Sequence, residues 1–153
     1  MLDLLQDFNA TKNHYDLIFV QELLRSKEEE SLLQTQANRQ GYHLAVHAAK
    51  RTTASGLTPG VGILTPFRLG LANVDIPDSV AKPARERMLA RLWSGFAGRI
   101  ILVVSLYLHS GLGLGLDNMY LLEQVGAYLH AVGLPYIIGA DWNVKPEGLE
   151  ESG

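Results

Sequence analysis

The chain has 153 residues, 47% of them apolar and 19% charged, with 13 Lys and Arg against 16 Asp and Glu for a net charge of −3. That length fits a single domain, and that balance can fill a core, which excludes a mainly disordered chain. With no Cys, a disulfide scaffold and any thiolate metal site are excluded, and an intracellular, reducing setting is favoured over secretion. No basic segment followed by an apolar one opens the sequence, since Asp3 and Asp7 fall among its first residues. The most apolar run, residues 100–108, is about nine residues long against roughly 20 for a bilayer-spanning helix, so no membrane span is expected. Slight acidity argues against a protein that holds nucleic acid by charge alone. It does not exclude an enzyme in which a bound cation offsets that charge.

In chain order, Leu2, Leu4, Leu5 and Phe8 fall near helical spacing and predict a helix running into a polar loop over residues 9–14. Asp16-Leu-Ile-Phe-Val-Gln21 has the pattern of a strand buried on both faces, and Glu22 ends it. Ser26-Lys-Glu-Glu29 has the capping-box form and predicts a helix start. Leu32, Leu33 and Ala37 give that helix an apolar stripe, and Gly41 can close it in the left-handed conformation. Residues 42–48 read as a second strand, residues 50–60 as a loop, and Gly60-Val-Gly-Ile-Leu64 as a third strand stopped by Pro66. Pro77 and Pro83 interrupt the stretch 67–98, in which residues 85–93 fit either a short helix or an alternating strand. Arg99-Ile-Ile-Leu-Val-Val-Ser-Leu-Tyr107 is the clearest strand, rich in β-branched residues. After a Gly-rich turn, Asp117 is the expected N-cap of a helix with Leu121, Leu122, Val125, Leu129 and Val132 on its apolar face and Gly133 just past its end. Pro135-Tyr-Ile-Ile-Gly139 is a further strand that delivers Asp141 and Asn143 at its C-terminal end, where α/β sheets place their chemistry.

Two acids thus stand at strand ends, Glu22 and Asp141, with Asn143 two residues beyond the second and Tyr107 at the end of another strand. Either acid alone fits an ordinary cap or ion pair. As a converging set they suit a hard oxygen-binding cation and a phosphate, with the carboxylate for Mg²⁺ and the amide and phenol for phosphate oxygens.

Val20-Gln21-Glu22, Gly60-Val-Gly-Ile-Leu64, Val104-Ser-Leu-Tyr107 and Gly139-Ala-Asp-Trp-Asn143 resemble, in order and spacing, the endonuclease/exonuclease/phosphatase superfamily. The resemblance implies an α/β fold, a partial four-layer α/β/β/α sandwich of the DNase I-like type, and Mg²⁺-dependent cleavage of phosphate esters, with Mn²⁺ as the alternative ion. It implies that Glu22 binds the metal and that Tyr107 contacts the phosphate or leaving-group side. Asp141 would activate or orient the attacking water, and Asn143 would align that group with the phosphate. The implied partner is a nucleic-acid phosphate backbone, with a phosphorylated small molecule as the alternative. Residues 1–153 are then expected to form one incomplete domain of this kind. The family's Asn-bearing first strand and its late Asp-His pair have no counterpart: 21 residues precede Glu22, and none of His14, His43, His47, His109 and His130 follows an Asp or lies beyond Asp141. The expectation is weak or absent hydrolysis by these residues alone, and the alternative is a non-catalytic binding module or a degenerate remnant of such a domain.

Four further signals read as structural. Gly111, Gly113 and Gly115 lack the Gly-x-Gly-x-x-Gly spacing of a dinucleotide-binding turn and fit a flexible connection. His43 and His47 have zinc-like helical spacing, but they fall on a predicted strand and Leu44 stands where a metalloprotease motif needs Glu. Trp93 and Trp142 are expected to pack, with the alternative that Trp142, beside Asp141, borders a substrate groove. Lys82, Arg85, Arg87, Arg91 and Arg99 against Glu86 alone read as a solvated basic face, and the Arg-bearing part of it tilts the substrate toward nucleic acid.

Overall fold

The nine-residue run from Arg99 to Tyr107 forms the central strand around which the computed structural model is built. The structure describes residues 15–24, 27–51 and 57–143. In chain order these form β1 (Ile18–Leu23), α1 (Lys27–Arg39), β2 (Tyr42–His47), β3 (Lys50–Arg51), β4 (Leu57–Thr58), β5 (Gly60–Pro66), β6 (Leu71–Asn73), α2 (Lys82–Arg85), β7 (Met88–Phe96), β8 (Arg99–Tyr107), α3 (Leu116–Val132) and β9 (Tyr136–Asp141). One sheet has the order β1-β5-β2, a second has the order β6-β7-β8-β9, and β3 pairs with β4 as a small hairpin.

Side-chain parity along the strands generates the layers. On β8, Leu102, Val104 and Leu106 face α3, packing with Met88 and Ala90 of β7 and with Leu121, Val125 and Leu129 of the helix. The alternate residues Val103 and Tyr107 face the other way, toward Val61 and Ile63 of β5, with Leu89 and Trp93 beside them. Leu64 and Leu44, on the far face of the first sheet, meet Leu33 and Ala37 of α1. Three apolar seams therefore separate four layers, α1, sheet, sheet and α3, as the α/β/β/α expectation requires.

Hydrogen bonds stitch the inner seam. Buried Thr65 donates to the Asp16 carbonyl at 2.8 Å and accepts the Trp93 indole N–H at 3.2 Å. Gln21 donates to Ser105 Oγ at 3.3 Å and to the Gly139 carbonyl at 3.1 Å, and the Ser105 hydroxyl donates to the Val20 carbonyl at 3.3 Å. The end of β1 is thereby fixed against β8 and β9.

Several expectations are corrected. β1 is half-buried along most of its length, because as an edge strand it is covered on one side less than an interior strand would be. Leu32 is exposed, and α1 buries Leu33 and Ala37 alone of the predicted stripe, an i, i+4 pair. Residues 50–60 contain the β3–β4 hairpin, whose two-residue strands are too short to show a period. The stretch 85–93 divides into the end of α2 and the start of β7. The N-cap of α3 is Gly115, with Asp117 one residue inside the first turn, where an acid still favours the helix dipole. Gly133 closes α3 at φ 66 as predicted, its N–H bonded to the Leu129 carbonyl at 3.1 Å. The helix over residues 2–8 and the Ser26 end of the capping box lie outside the described residues. Among the described residues no helix is long and apolar enough to cross a membrane.

Candidate active site

Tyr107 is the hub of the candidate site. Parity turns its ring into the seam between the sheets, where it is 3% exposed, and β1 of the facing sheet brings Glu22 to its hydroxyl. The phenol donates to Glu22 Oε1 at 2.8 Å. Burial pushes the Tyr107 pKa up, and the hydrogen bond to Glu22 adds to the rise, while Ser110 and Asn143 act in the opposite direction. The phenol therefore remains a donor at neutral pH.

Glu22 was expected after the strand and instead lies within it, at an irregularity. Val20 pairs with Gly62 and Leu23 with Gly60, so Gln21 and Glu22 together oppose Val61 alone. This is the two-against-one count of a β-bulge, a device that re-aims a side chain. Glu22 sits there at φ 54, and Asn143 sits at φ 50. These are two of the three non-glycine residues with positive φ among the described residues. A left-handed backbone is uncommon outside glycine and concentrates at functional positions.

β8 and β9 run parallel with Tyr107 opposite Asp141, so the two strand ends finish level. The Leu108 N–H donates to the Asp141 carbonyl at 3.2 Å. Asn143 donates its backbone N–H to Asp141 Oδ1 at 3.1 Å and its side-chain amide to the Leu108 carbonyl at 3.1 Å. Glu22, Tyr107, Asp141 and Asn143 are thus joined through adjacent strand ends. Trp142, expected to pack, is 39% exposed beside them, whereas Trp93 is buried in the seam.

Sequence reasoning gave no role to Gln21, quoted only as part of a motif, which anchors the bulge, or to Arg87, quoted only within the basic segment, whose guanidinium lies 5.8 Å from the centre of the Tyr107 ring. Ala97 and Gly98 both have positive φ, the backbone of a two-residue hairpin turn whose twist matches the flanking strands. Phe96 pairs with Arg99 next to that turn, and a register shift between Trp93 and Phe96 then offsets the ladder so that Met88 pairs with Leu106 and Arg87 comes opposite Tyr107, whose N–H donates to the Arg87 carbonyl at 3.0 Å. His109, held below its ordinary pKa by burial and then by Arg87, also stands near.

Among the described residues no group of three or more His, Asp and Glu could enclose a metal ion. Mg²⁺ does not require such a cage, since it usually keeps several waters and takes one or two carboxylates plus substrate phosphate. Glu22 is exposed overall and commits Oε1 to Tyr107, so this donor set fits an ion bound mainly by water and phosphate.

The other signals resolve structurally. Gly111 and Gly113 take positive φ in a turn whose carbonyls are tied to Asn118, in keeping with a connection rather than a dinucleotide cradle. His43 is exposed and lies against Phe67 with ring centroids 4.7 Å apart. His47, on the same strand, has its pKa lowered by burial, with Lys50 and Arg91 lowering it further and Glu86 opposing them. Because the folded state resists protonating His47, stability should be full above the unfolded value of 6.5 and decline as the pH falls below it. Urea titrations between about pH 7.5 and pH 5.5 should show that decline, and His47→Gln should flatten it. The basic segment is not one solvated face. Lys82 pairs with Glu86 and Arg85 with Asp78, while burial depresses the pKa of both Arg87 and Arg91.

No protein-family model matches the sequence, and no curated protein matches it. Solved structures do. The catalytic domain of human Nocturnin, determined with bound sulfate, superposes with a TM-score of 0.64 at 16% identity over 97% of this chain and 58% of its own. ANGEL2, described as a 2',3'-cyclic phosphatase, gives 0.63 at 17% identity over 94% of this chain and 43% of its own. A humanized D. rerio TDP2 gives 0.60 at 16% identity over 99% and 58%. The chain spans about half the length of these structures. Four layers, the order of the strands and these superpositions agree on one architecture: the chain has a DNase I-like fold.

Proposed function

We propose that the chain carries the phosphodiester-hydrolysing site of such a fold, with nucleic acid as substrate. The observation that carries this reading is the bond of Tyr107 to Glu22, with Asp141 paired opposite Tyr107 on β9 and Asn143 bonded to the Asp141 carboxylate. Of the similar proteins, ANGEL2 is a cyclic phosphatase and the Nocturnin domain binds the oxyanion sulfate, which supports chemistry at phosphorus in general. The nucleic-acid assignment rests on Arg87, the arginine of the basic segment that lies beside Tyr107.

Glu22 would hold Mg²⁺, which when bound neutralises charge on the phosphate. The remaining work falls to the chain. Tyr107, kept protonated by burial, donates to Glu22 Oε1 and holds that carboxylate in place. Asp141 accepts a proton from the attacking water, whose oxygen forms the new bond to phosphorus as the opposite P–O bond breaks, its electron pair leaving on the departing oxygen, which takes a proton from solvent. Asn143 fixes the Asp141 carboxylate through its backbone N–H, so the base enters the reaction already oriented.

The test is hydrolysis of bis(p-nitrophenyl) phosphate and of a single-stranded oligonucleotide with Mg²⁺ present and with it chelated. Asp141→Asn should lower the rate by about 10²-fold or more, the scale of a lost general base. Unchanged turnover in that variant would overturn the assignment. Oligonucleotide binding without turnover would leave a binding module instead.

A further inference from the structure

We propose that a cavity at the outer edge of the seam between the two sheets is a binding site for a guanine base, held between Glu30 and Arg91. It stands apart from the strand ends that carry Glu22, Tyr107 and Asp141. It opens beside β2 and β6, the outermost strands of their sheets on the side away from β1 and β9. Through most of its width the seam is apolar: Leu89 and Trp93 of β7, Ala45 of β2 and Leu71 of β6 point into it. The same strand parity directs Arg91, His43 and Asn73 to this side of their sheets. With Glu30 and Gln34, one turn apart on α1, they line a cavity of about 280 Å³. Packing alone would have placed apolar side chains at these strand positions, as it does at Leu89 and Ala45.

The charges across the cavity are near each other and do not touch. Arg91 is half-buried, which lowers its pKa, and Glu30 opposes that fall from the other side. Yet among the described residues Arg91 makes no ion pair, and its hydrogen bond runs from Nη1 to the neighbouring Ala90 carbonyl at 2.8 Å. The rest of the guanidinium fork and the Glu30 carboxylate therefore border one gap with no bond across it. A cation and an anion partly withdrawn from water in this way favour a ligand that offers acceptors to one and donors to the other. Guanine does so on adjoining edges of a single flat ring system. Its O6 and N7 accept from a guanidinium fork, while N1–H and the N2 amine donate to a carboxylate. Adenine carries a donor at N6 and an acceptor at N1, the wrong sense at both places. The rim suits a flat ligand too, since His43, its ring centroid 4.7 Å from that of Phe67, offers an aromatic face on which a base can lie. The volume is slightly below that of pockets for drug-sized molecules, so a base fits with its sugar left outside.

The experiment titrates guanosine into the Mg²⁺-free protein and follows the backbone amides by NMR. Guanosine should shift the amides of His43, Asn73 and Arg91 and leave those of Tyr107 and Asn143 in place. Adenosine should bind about tenfold more weakly or worse. Glu30→Gln keeps the shape of the side chain and loses its charge, and it should weaken guanosine binding by about tenfold. Inosine, which lacks the N2 amine, separates recognition from a merely structural effect. Wild type should prefer guanosine to inosine by about tenfold, and Glu30→Gln should reduce that preference to less than about threefold. An oligothymidylate carrying one guanine identifies the source of the base. If it shifts the same amides at lower concentration than guanosine does, the cavity reads a base within a strand; if guanosine alone shifts them, it takes the free nucleoside. The proposal is overturned if guanosine moves none of these amides, if adenosine binds as tightly, or if Glu30→Gln binds guanosine and inosine as wild type does.

Discussion

Gly60→Ala is expected to destabilise the fold by about 3 kcal/mol or more, the upper end of what overpacking costs, because the obstruction is backbone. A Cβ at Gly60 would lie 2.5 Å from the His47 carbonyl oxygen, 2.9 Å from the Ala49 nitrogen and 3.0 Å from the Leu23 carbonyl oxygen. None of these can swing aside as a side chain would. Three segments meet there: the end of β2, the start of β5 and the end of β1. The point of contact on β1 is Leu23, immediately after the bulge that presents Glu22. The same methyl should therefore lower the midpoint of urea unfolding and disturb the Glu22–Tyr107 bond. Gly126, on the exposed face of α3 with nothing within 4 Å of its added Cβ, supplies the contrast. Alanine there should stabilise by about 0.5–1 kcal/mol through helix propensity alone. Equal midpoints for the two variants would refute the close-approach argument.

The parts of this fold that the sequence announces are those in which one local rule decides the outcome. β8 is legible because a β-branched run covered on both faces has little else to become, and α3 because its apolar residues recur at helical spacing up to a terminal glycine. Glu22 and Asp141 stand out since each follows an apolar run at the place where a strand must end. β7 was ambiguous for a physical reason. It lies between β6 and β8 with both faces covered, so it lacks the apolar–polar alternation of a half-exposed strand, and Arg91 with its depressed pKa breaks the apolar run. Arg87 was hidden more deeply. Its meaning comes from Tyr107, twenty positions away, and appears only when the hairpin register is known. The bulge at Glu22 is likewise a property of a pair of strands, and no period within β1 foretells it.

The Gly-rich connection after β8 shows the same dependence on a distant partner, and it yields the second large effect. Asn118 is fully buried on the first turn of α3. Its carbonyl oxygen accepts the His109 N–H at 2.8 Å, and its amide donates to the His109 carbonyl at 3.0 Å and the Gly113 carbonyl at 2.7 Å. One side chain thus closes the whole turn between strand and helix, replacing the side-chain cap that Gly115 cannot provide. In Asn118→Ala all three backbone groups lose their partner together. An unsatisfied buried group costs about 1–3 kcal/mol, so a loss of about 3 kcal/mol or more is expected. Asn118→Asp keeps the acceptor and loses both donations, and it should do no better, since its carboxylate would face two carbonyl oxygens. Hydrogen exchange locates the damage: the His109 amide should lose protection first. The disturbance should then reach the site, because Leu108, adjacent to His109, accepts the Asn143 amide and donates to the Asp141 carbonyl. If Asn118→Ala unfolds at the wild-type urea midpoint with the His109 amide still protected, the turn is held by its glycines and not by this side chain.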